Sequence, residues 1–145
     1  MTPSNEQIDA LVEAARAAAG AAHCPYSRFP VGAALLDTRG RTWTGANVEN
    51  ASYPEGLCAE RVALTHAVTH GAALDSFLAI AVWTDTPKPT SPCGACRQVM
   101  HELAPSARVV SGCASNERID ATVALLLPAG FDPSLLPPAP IDDDA

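Results

Sequence analysis

Lysine occurs once in this sequence, at Lys88, and aromatic side chains make up only 5% of its 145 residues. Cations are scarce in general: nine Lys and Arg stand against sixteen Asp and Glu, a formal charge of -7 at pH 7. Setting aside Asp142, Asp143 and Asp144 leaves thirteen acids against the same nine bases, still -4. A field of that sign repels phosphate backbones and anionic lipid, so neither nucleic acid nor a membrane is expected as a partner. No apolar run reaches the 18 residues that a membrane-spanning helix needs. The N-terminus opens polar and acidic rather than basic and then apolar, so no secretion signal is expected and the expected address is the cytoplasm.

What the chain does have is 48% apolar residues, weighted toward Ala, Val and Leu. That composition and length predict a single domain over residues 1–145 with a true core. Five of the thirteen prolines fall between Pro128 and Pro140, so residues 137–145 are expected to form an extended or disordered tail. The cysteines, Cys24, Cys58, Cys93, Cys96 and Cys113, are odd in number. In a reducing compartment they are expected as thiols or metal ligands rather than a disulfide framework.

Ser4 and Gln7 form a capping box, and Ile8, Leu11, Val12 and Ala15 follow at helical spacing up to Gly20. A proline-bearing loop, Cys24 to Pro30, precedes an apolar run from Val31 to Leu36, a turn at Thr38 to Gly40, and a second strand from Thr42 to Asn47. A helix is expected from about Cys58 to His70, a central strand from Leu78 to Trp83, a helix opened by Pro92 and reaching Leu103, and a strand from Arg108 to Ser111. Ile119 to Leu127 reads as part strand, part helix. This order predicts an α/β fold, a three-layer α/β/α sandwich around a mixed sheet of about five strands.

Cys93, Cys96, Met100 and Leu103 share one helical stripe, and helical side chains tilt toward the N-terminus. Both sulfurs therefore project ahead of the first turn. Cys58 starts the other helix, and its sulfur reaches the same space if the two helix starts meet. Free N–H groups there favour thiolates. Three thiolates around Zn²⁺ leave one coordination place for a water, the catalytic rather than the structural pattern. Glu60, two residues after Cys58, points roughly 200° away on a regular helix. It can converge on such an ion only if the ion sits near the helix axis, ahead of the first turn. C-x-E followed by P-C-x-x-C closely resembles the zinc deaminase signature, with Cys58 where that pattern has His and Glu60 as the acid/base.

With these residues in hand, the sequence resembles the small three-cysteine, homotetrameric class of cytidine deaminases, over roughly residues 5 to 135. The blocks that carry the likeness are Cys24 to Ala33, Asn47 to Pro54, Cys58 to Arg61, Ser91 to Gln98, and Leu126 to Pro128 with Phe131. The resemblance implies one Zn²⁺ per subunit and hydrolytic deamination of cytidine and 2′-deoxycytidine in pyrimidine salvage. It implies that Asn47 and Glu49 hold the ribose, that Phe29 packs on the pyrimidine, and that the Ala59 N–H and the Ser91 carbonyl meet the base edge. Tyr53 and Phe131 are implied to reach a neighbouring subunit's site. Ala46, where relatives often carry cysteine, and the acidic tail depart from the pattern.

Three thiolates on one dication leave a net charge of -1, so Arg61 and Arg97, each beside a ligand, are expected to hydrogen-bond the sulfurs. Each could equally be a solvent-facing charge. Plainer readings stand beside the others too. Cys93 and Cys96 could be a redox pair or half of a closed structural zinc site completed by Cys24 or Cys113, although Glu60 then has no purpose. Otherwise Cys24 and Cys113 are small buried residues. His66 and His70 read as a polar helix face, Phe29 could be core only, and Asn47 and Glu49 could be turn and surface residues. Rival functions are a polynucleotide deaminase, disfavoured by charge, a noncatalytic zinc module, and a deaminase of a cytosine-containing antibiotic.

Overall fold

The computed structural model describes residues 2–137. The expected tail lies, apart from Pro137, outside the described residues. The chain runs α1 (Asn5–Ala19), β1 (Val31–Asp37), β2 (Thr42–Ala46), α2 (Ala59–Thr69), β3 (Phe77–Thr84), α3 (Gly94–Leu103), β4 (Arg108–Gly112), β5 (Ile119–Thr122) and α4 (Val123–Leu126), with short 3-10 turns at Tyr53–Glu55 and Pro133–Leu135. The strands form one sheet in the order β2-β1-β3-β4-β5. Only the β3–β4 pair is parallel; the other pairs are antiparallel. The mixed five-stranded sheet is as expected. Ile119 to Leu127 does divide between strand and helix, the Thr122 side chain capping α4 by accepting from the N–H of Leu125.

Alternation along the strands sorts side chains to two faces. Ala33, Leu35, Ile80 and Val82 pack beneath Ala63, Leu64, Cys96 and Met100, so α2 and α3 cover one face. Ala34, Leu36, Ala79 and Ala81 meet Ile8, Leu11, Val12 and Ala15 of α1 on the other. This is the three-layer sandwich, built mainly of small residues that let layers approach closely. A Cβ on Gly32 would stand 1.8 Å from the Ala15 carbonyl oxygen, and one on Gly45 would stand 2.4 Å from the Ala63 nitrogen. Both helices thus rest directly on backbone.

The helix starts differ from expectation by a residue or two. Cys58 and Cys93 are the N-caps of α2 and α3, in extended conformation, and Pro92 lies just before the cap rather than inside the first turn. The capping box of Ser4 and Gln7 is formed as expected. Among the described residues no helix is long and apolar enough to cross a membrane.

Candidate active site

Residues 47–49 run between two neighbouring segments. His23 donates its N–H to the Asn47 carbonyl (2.9 Å), Glu49 donates its own to the His23 carbonyl (2.8 Å), and Val48 exchanges two 2.9 Å bonds with Leu57. This stitching leaves the Asn47 and Glu49 side chains to organise the 24–30 loop. Asn47 Oδ1 accepts from the N–H of Val31 (2.8 Å) and its Nδ2 donates to the Phe29 carbonyl (2.9 Å). Glu49 Oε1 accepts the N–H groups of both Tyr26 and Ser27, each at 3.0 Å. Those contacts, led by Ser27, hold the Glu49 carboxyl below its ordinary range, so it is charged at neutral pH.

The loop forms one wall of a cleft of about 770 Å³. Phe29, Asn47, Glu49 and Tyr53 line it on one side, Cys58, Ala59, Glu60 and Arg61 on a second, and Ser91 and Cys93 on a third. Tyr53 is 74% exposed at the mouth, edge-on to Tyr26 with ring centroids 5.8 Å apart. The starts of α2 and α3 meet within it, at Cys58 and Cys93. Neither Cys58 nor Cys93 spends its side chain on capping, so their sulfurs face forward beside unpaired N–H groups.

The sulfurs of Cys58, Cys93 and Cys96 lie within 4.8 Å of one another, and those of Cys58 and Cys93 are 3.8 Å apart. Zinc holds thiolate sulfur at about 2.3 Å in a tetrahedron, which separates two sulfurs by about 3.8 Å. The donor set fits zinc. The thiols' own electrostatics call for a cation as well. A hydrogen bond from Cys96, together with Arg61, brings Cys58 down to about 5, whereas that same bond and burial push Cys96 up. Cys58 ionises readily, while Cys96 needs a positive ion beside it to do so. Cys24 and Cys113 stand outside the cluster. Cys113 is buried as expected, against the Ser115 hydroxyl at 3.2 Å, while Cys24 is only half-buried.

Glu60, in the first turn of α2, is 4% exposed yet still lines the cleft. Burial pushes its carboxyl above the ordinary range, and the negative charge on Cys58 adds to the effect. A carboxyl so placed holds and releases protons nearer neutrality than a free one.

The two arginines part company. Arg61 Nη2 lies 3.9 Å from the Cys58 sulfur and 3.1 Å from the Gly56 carbonyl, while its buried Nε has no hydrogen-bond partner among the described residues. Arg97 makes no hydrogen bond to a sulfur. Its three donors go to the Pro92 carbonyl (2.8 Å), the Leu126 carbonyl (2.9 Å) and the Ser91 hydroxyl (2.7 Å). A guanidinium with three carbonyl and hydroxyl acceptors in reach binds these harder oxygen acceptors in preference to a thiol sulfur. The sequence argument for Arg97 is corrected accordingly: it braces the segment that enters α3.

Phe131 also departs from the cleft. It lies outside its own chain's lining residues and is 57% exposed. His66 and His70 are exposed on α2, as expected, with their rings packed near Trp43. Tyr26, Ser27, Asn50 and Thr90 line the cleft without having been singled out. Tyr26 and Ser27 bond Glu49 through backbone N–H, a group every residue but proline carries, so residue type gave no signal for them beyond the loop's position.

Residues 5–113 match the family described as the cytidine and deoxycytidylate deaminase zinc-binding region. A cytidine deaminase of Halalkalibacterium halodurans is 48% identical over 122 residues, covering 83% of this chain and 91% of that one. A cytidine deaminase of Sporosarcina psychrophila is 44% identical over 125 residues, covering 86% and 90%. The crystal structure of cytidine deaminase from Burkholderia pseudomallei superimposes with a TM-score of 0.83 at 48% identity, over 85% of this chain and 98% of that one. On the three-thiol cluster, the buried carboxyl beside it, and these likenesses, the chain belongs to the cytidine and deoxycytidylate deaminase family.

Proposed function

We propose that this protein is a zinc-dependent nucleoside deaminase that hydrolyses cytidine and 2′-deoxycytidine to uridine and 2′-deoxyuridine, releasing ammonia, as part of pyrimidine salvage. The observation that carries the reading is the buried Glu60 carboxyl on the floor of an open cleft, beside three thiols that converge from two helix starts. A structural zinc site has no use for such a group.

Cys58, Cys93 and Cys96 would hold the ion, which when bound would supply Lewis acidity that brings the pKa of water down toward neutrality. Glu60 takes a proton from the water that attacks C4 of the pyrimidine and passes it to N3. It then takes the proton of the new C4 hydroxyl and hands it to the exocyclic nitrogen, so that the C4–N bond breaks, ammonia leaves and the C4 carbonyl forms. Arg61 sets its positive charge against the excess negative charge of three thiolates. Phe29 packs against the base, the Ala59 N–H faces its 2-oxo group, and the Ser91 carbonyl accepts from its amine.

The sugar end follows from hydrogen-bond accounting. Glu49 Oε1 is filled by two N–H donors, which leaves Oε2 as a free acceptor. Asn47 has used its oxygen and one amide hydrogen, which leaves one free donor. One hydroxyl can donate to the first and accept from the second. A second hydroxyl can reach only the remaining lone pair of Oε2, a single bond at an exposed carboxylate, so ribose and deoxyribose are both accepted. A 5′-phosphate would meet the charged Glu49, and the single arginine lining the cleft faces the sulfurs instead.

Each site is completed by Phe131 of a neighbouring copy in a homotetramer, and Tyr53, exposed at the mouth of its own chain's cleft, reaches toward a neighbour's as well. The apolar side chains left exposed, Phe29, Tyr53, Leu57 and Phe131 among them, support that assembly. Thiol ligands suit the reducing cytoplasm, and the catalytic unit is a single domain. The test is direct: the zinc-loaded protein should lower the ultraviolet absorbance of added cytidine and release one ammonia per uridine formed. Fully zinc-loaded protein that does neither would refute the reading.

A further inference from the structure

Residues 126–131 line no part of their own chain's cleft, yet two consecutive residues of α3 hold them. Arg97 Nη1 donates to the Leu126 carbonyl at 2.9 Å. The next residue, Gln98, donates from Nε2 to the Phe131 carbonyl at 3.0 Å and accepts the Phe131 N–H at Oε1, also 3.0 Å. One amide thereby satisfies both backbone groups of Phe131, as a paired strand would. The chain between is equally constrained. Ala129 sits at φ 71, the left-handed region. A Cβ on Gly130 would come within 2.8 Å of the Leu127 side chain and 3.0 Å of the His101 ring. The backbone of Phe131 is thus immobilised, while its ring is 57% exposed and absent from its own chain's cleft. Packing within the chain gives no reason to fix a ring that projects into solvent.

We propose that Gln98 is a positioning residue for the reaction: its amide clamps Phe131 so that the ring enters a neighbouring copy's cleft already ordered. This deepens the composite-site reading and rests on it. Without the clamp, each encounter must order the Phe131 backbone afresh, at about 1–2 kcal/mol per residue, which corresponds to about a five- to thirtyfold loss of affinity.

The experiment measures kcat, KM, zinc content and thermal midpoint of the full chain carrying Gln98→Ala, Phe131→Ala, and Gln98→Ala co-expressed with Glu60→Gln. Gln98→Ala should raise KM for cytidine about five- to thirtyfold, with kcat within about twofold and zinc and midpoint unchanged. In mixed oligomers the Glu60→Gln copies supply clamped rings to sites that retain Glu60, so a low-KM component should return. If Phe131→Ala raises KM and Gln98→Ala does not, the clamp is wrong while the composite site stands. A raised KM that mixing fails to lower also overturns the proposal, because the loss would lie within one chain. If Phe131→Ala leaves KM unchanged, the composite site itself fails.

Discussion

The Asn47 side chain donates to the Phe29 carbonyl at 2.9 Å while accepting from the N–H of Val31 at 2.8 Å. Because a backbone N–H can only donate, the orientation of the amide is fixed. The residue assigned to the sugar therefore also sets the position of the ring assigned to the base. Base and sugar recognition share one scaffold, the 24–30 loop, whose other tether is Glu49.

That sharing makes the sugar specificity predictable. With one hydroxyl held by both members of the pair and a second able to reach Oε2 alone, kcat/KM for cytidine and 2′-deoxycytidine should agree within about tenfold. Cytidine 5′-monophosphate should be the poorer substrate, since its phosphate adds negative charge to a cleft that already holds the ionised Glu49 carboxylate. Competition assays with the three compounds check this. Comparable turnover of the nucleotide would show that Glu49 does not face the sugar.

Cys96 is the fully buried member of the thiol cluster. Replacing it with serine, as Cys96→Ser, puts a harder, less acidic donor where a thiolate is needed, and zinc per chain should fall far below one. Cys113→Ser should keep full zinc. Metal analysis after dialysis against a weak chelator distinguishes the two. Unaltered zinc in Cys96→Ser would remove it from the ligand set.

Asp37 is 1% exposed and accepts from Arg41 Nε at 2.7 Å, Trp43 Nε1 at 3.2 Å, and the N–H groups of Arg39 and Arg41 at 2.9 Å each. Burial alone would push its carboxyl up, but these donors outweigh it and hold it below the ordinary range. The folded pKa lies below the unfolded one, so the stabilisation is present above the unfolded value, about 3.9, and is lost as pH falls through the folded value. Asp37→Asn should cost about 1.5–3 kcal/mol at pH 7 by urea unfolding. The gap to the parent should shrink below about pH 4. A gap that stays constant into acid would show that the charge of Asp37 is not what stabilises the hairpin.

Most of the fold could be read from period and punctuation. Ile8, Leu11, Val12 and Ala15 mark α1, and the apolar run of β3 marks a strand covered on both faces, because burial imposes its period on the sequence. The site's core was legible for a similar reason: thiols, a carboxylate and helix starts have fixed chemistry at fixed spacing. Arg97 and Gln98 were not legible in the same way. Their partners are backbone carbonyls and an N–H some thirty residues away, and a backbone group leaves no mark on residue type. Cys58 and Cys93 proved to be caps rather than first-turn residues, because extended backbone at a helix start is chosen by tertiary contact as much as by the residue there.

Glu60→Gln is the sharpest test, because it changes one buried carboxyl to an amide of the same shape beside an intact thiol cluster. Zinc per chain and kcat for cytidine, measured on the same sample, should show one zinc retained and turnover reduced by at least about a hundredfold. Full zinc with turnover within tenfold of the parent would contradict the role of Glu60 as the group that moves the protons.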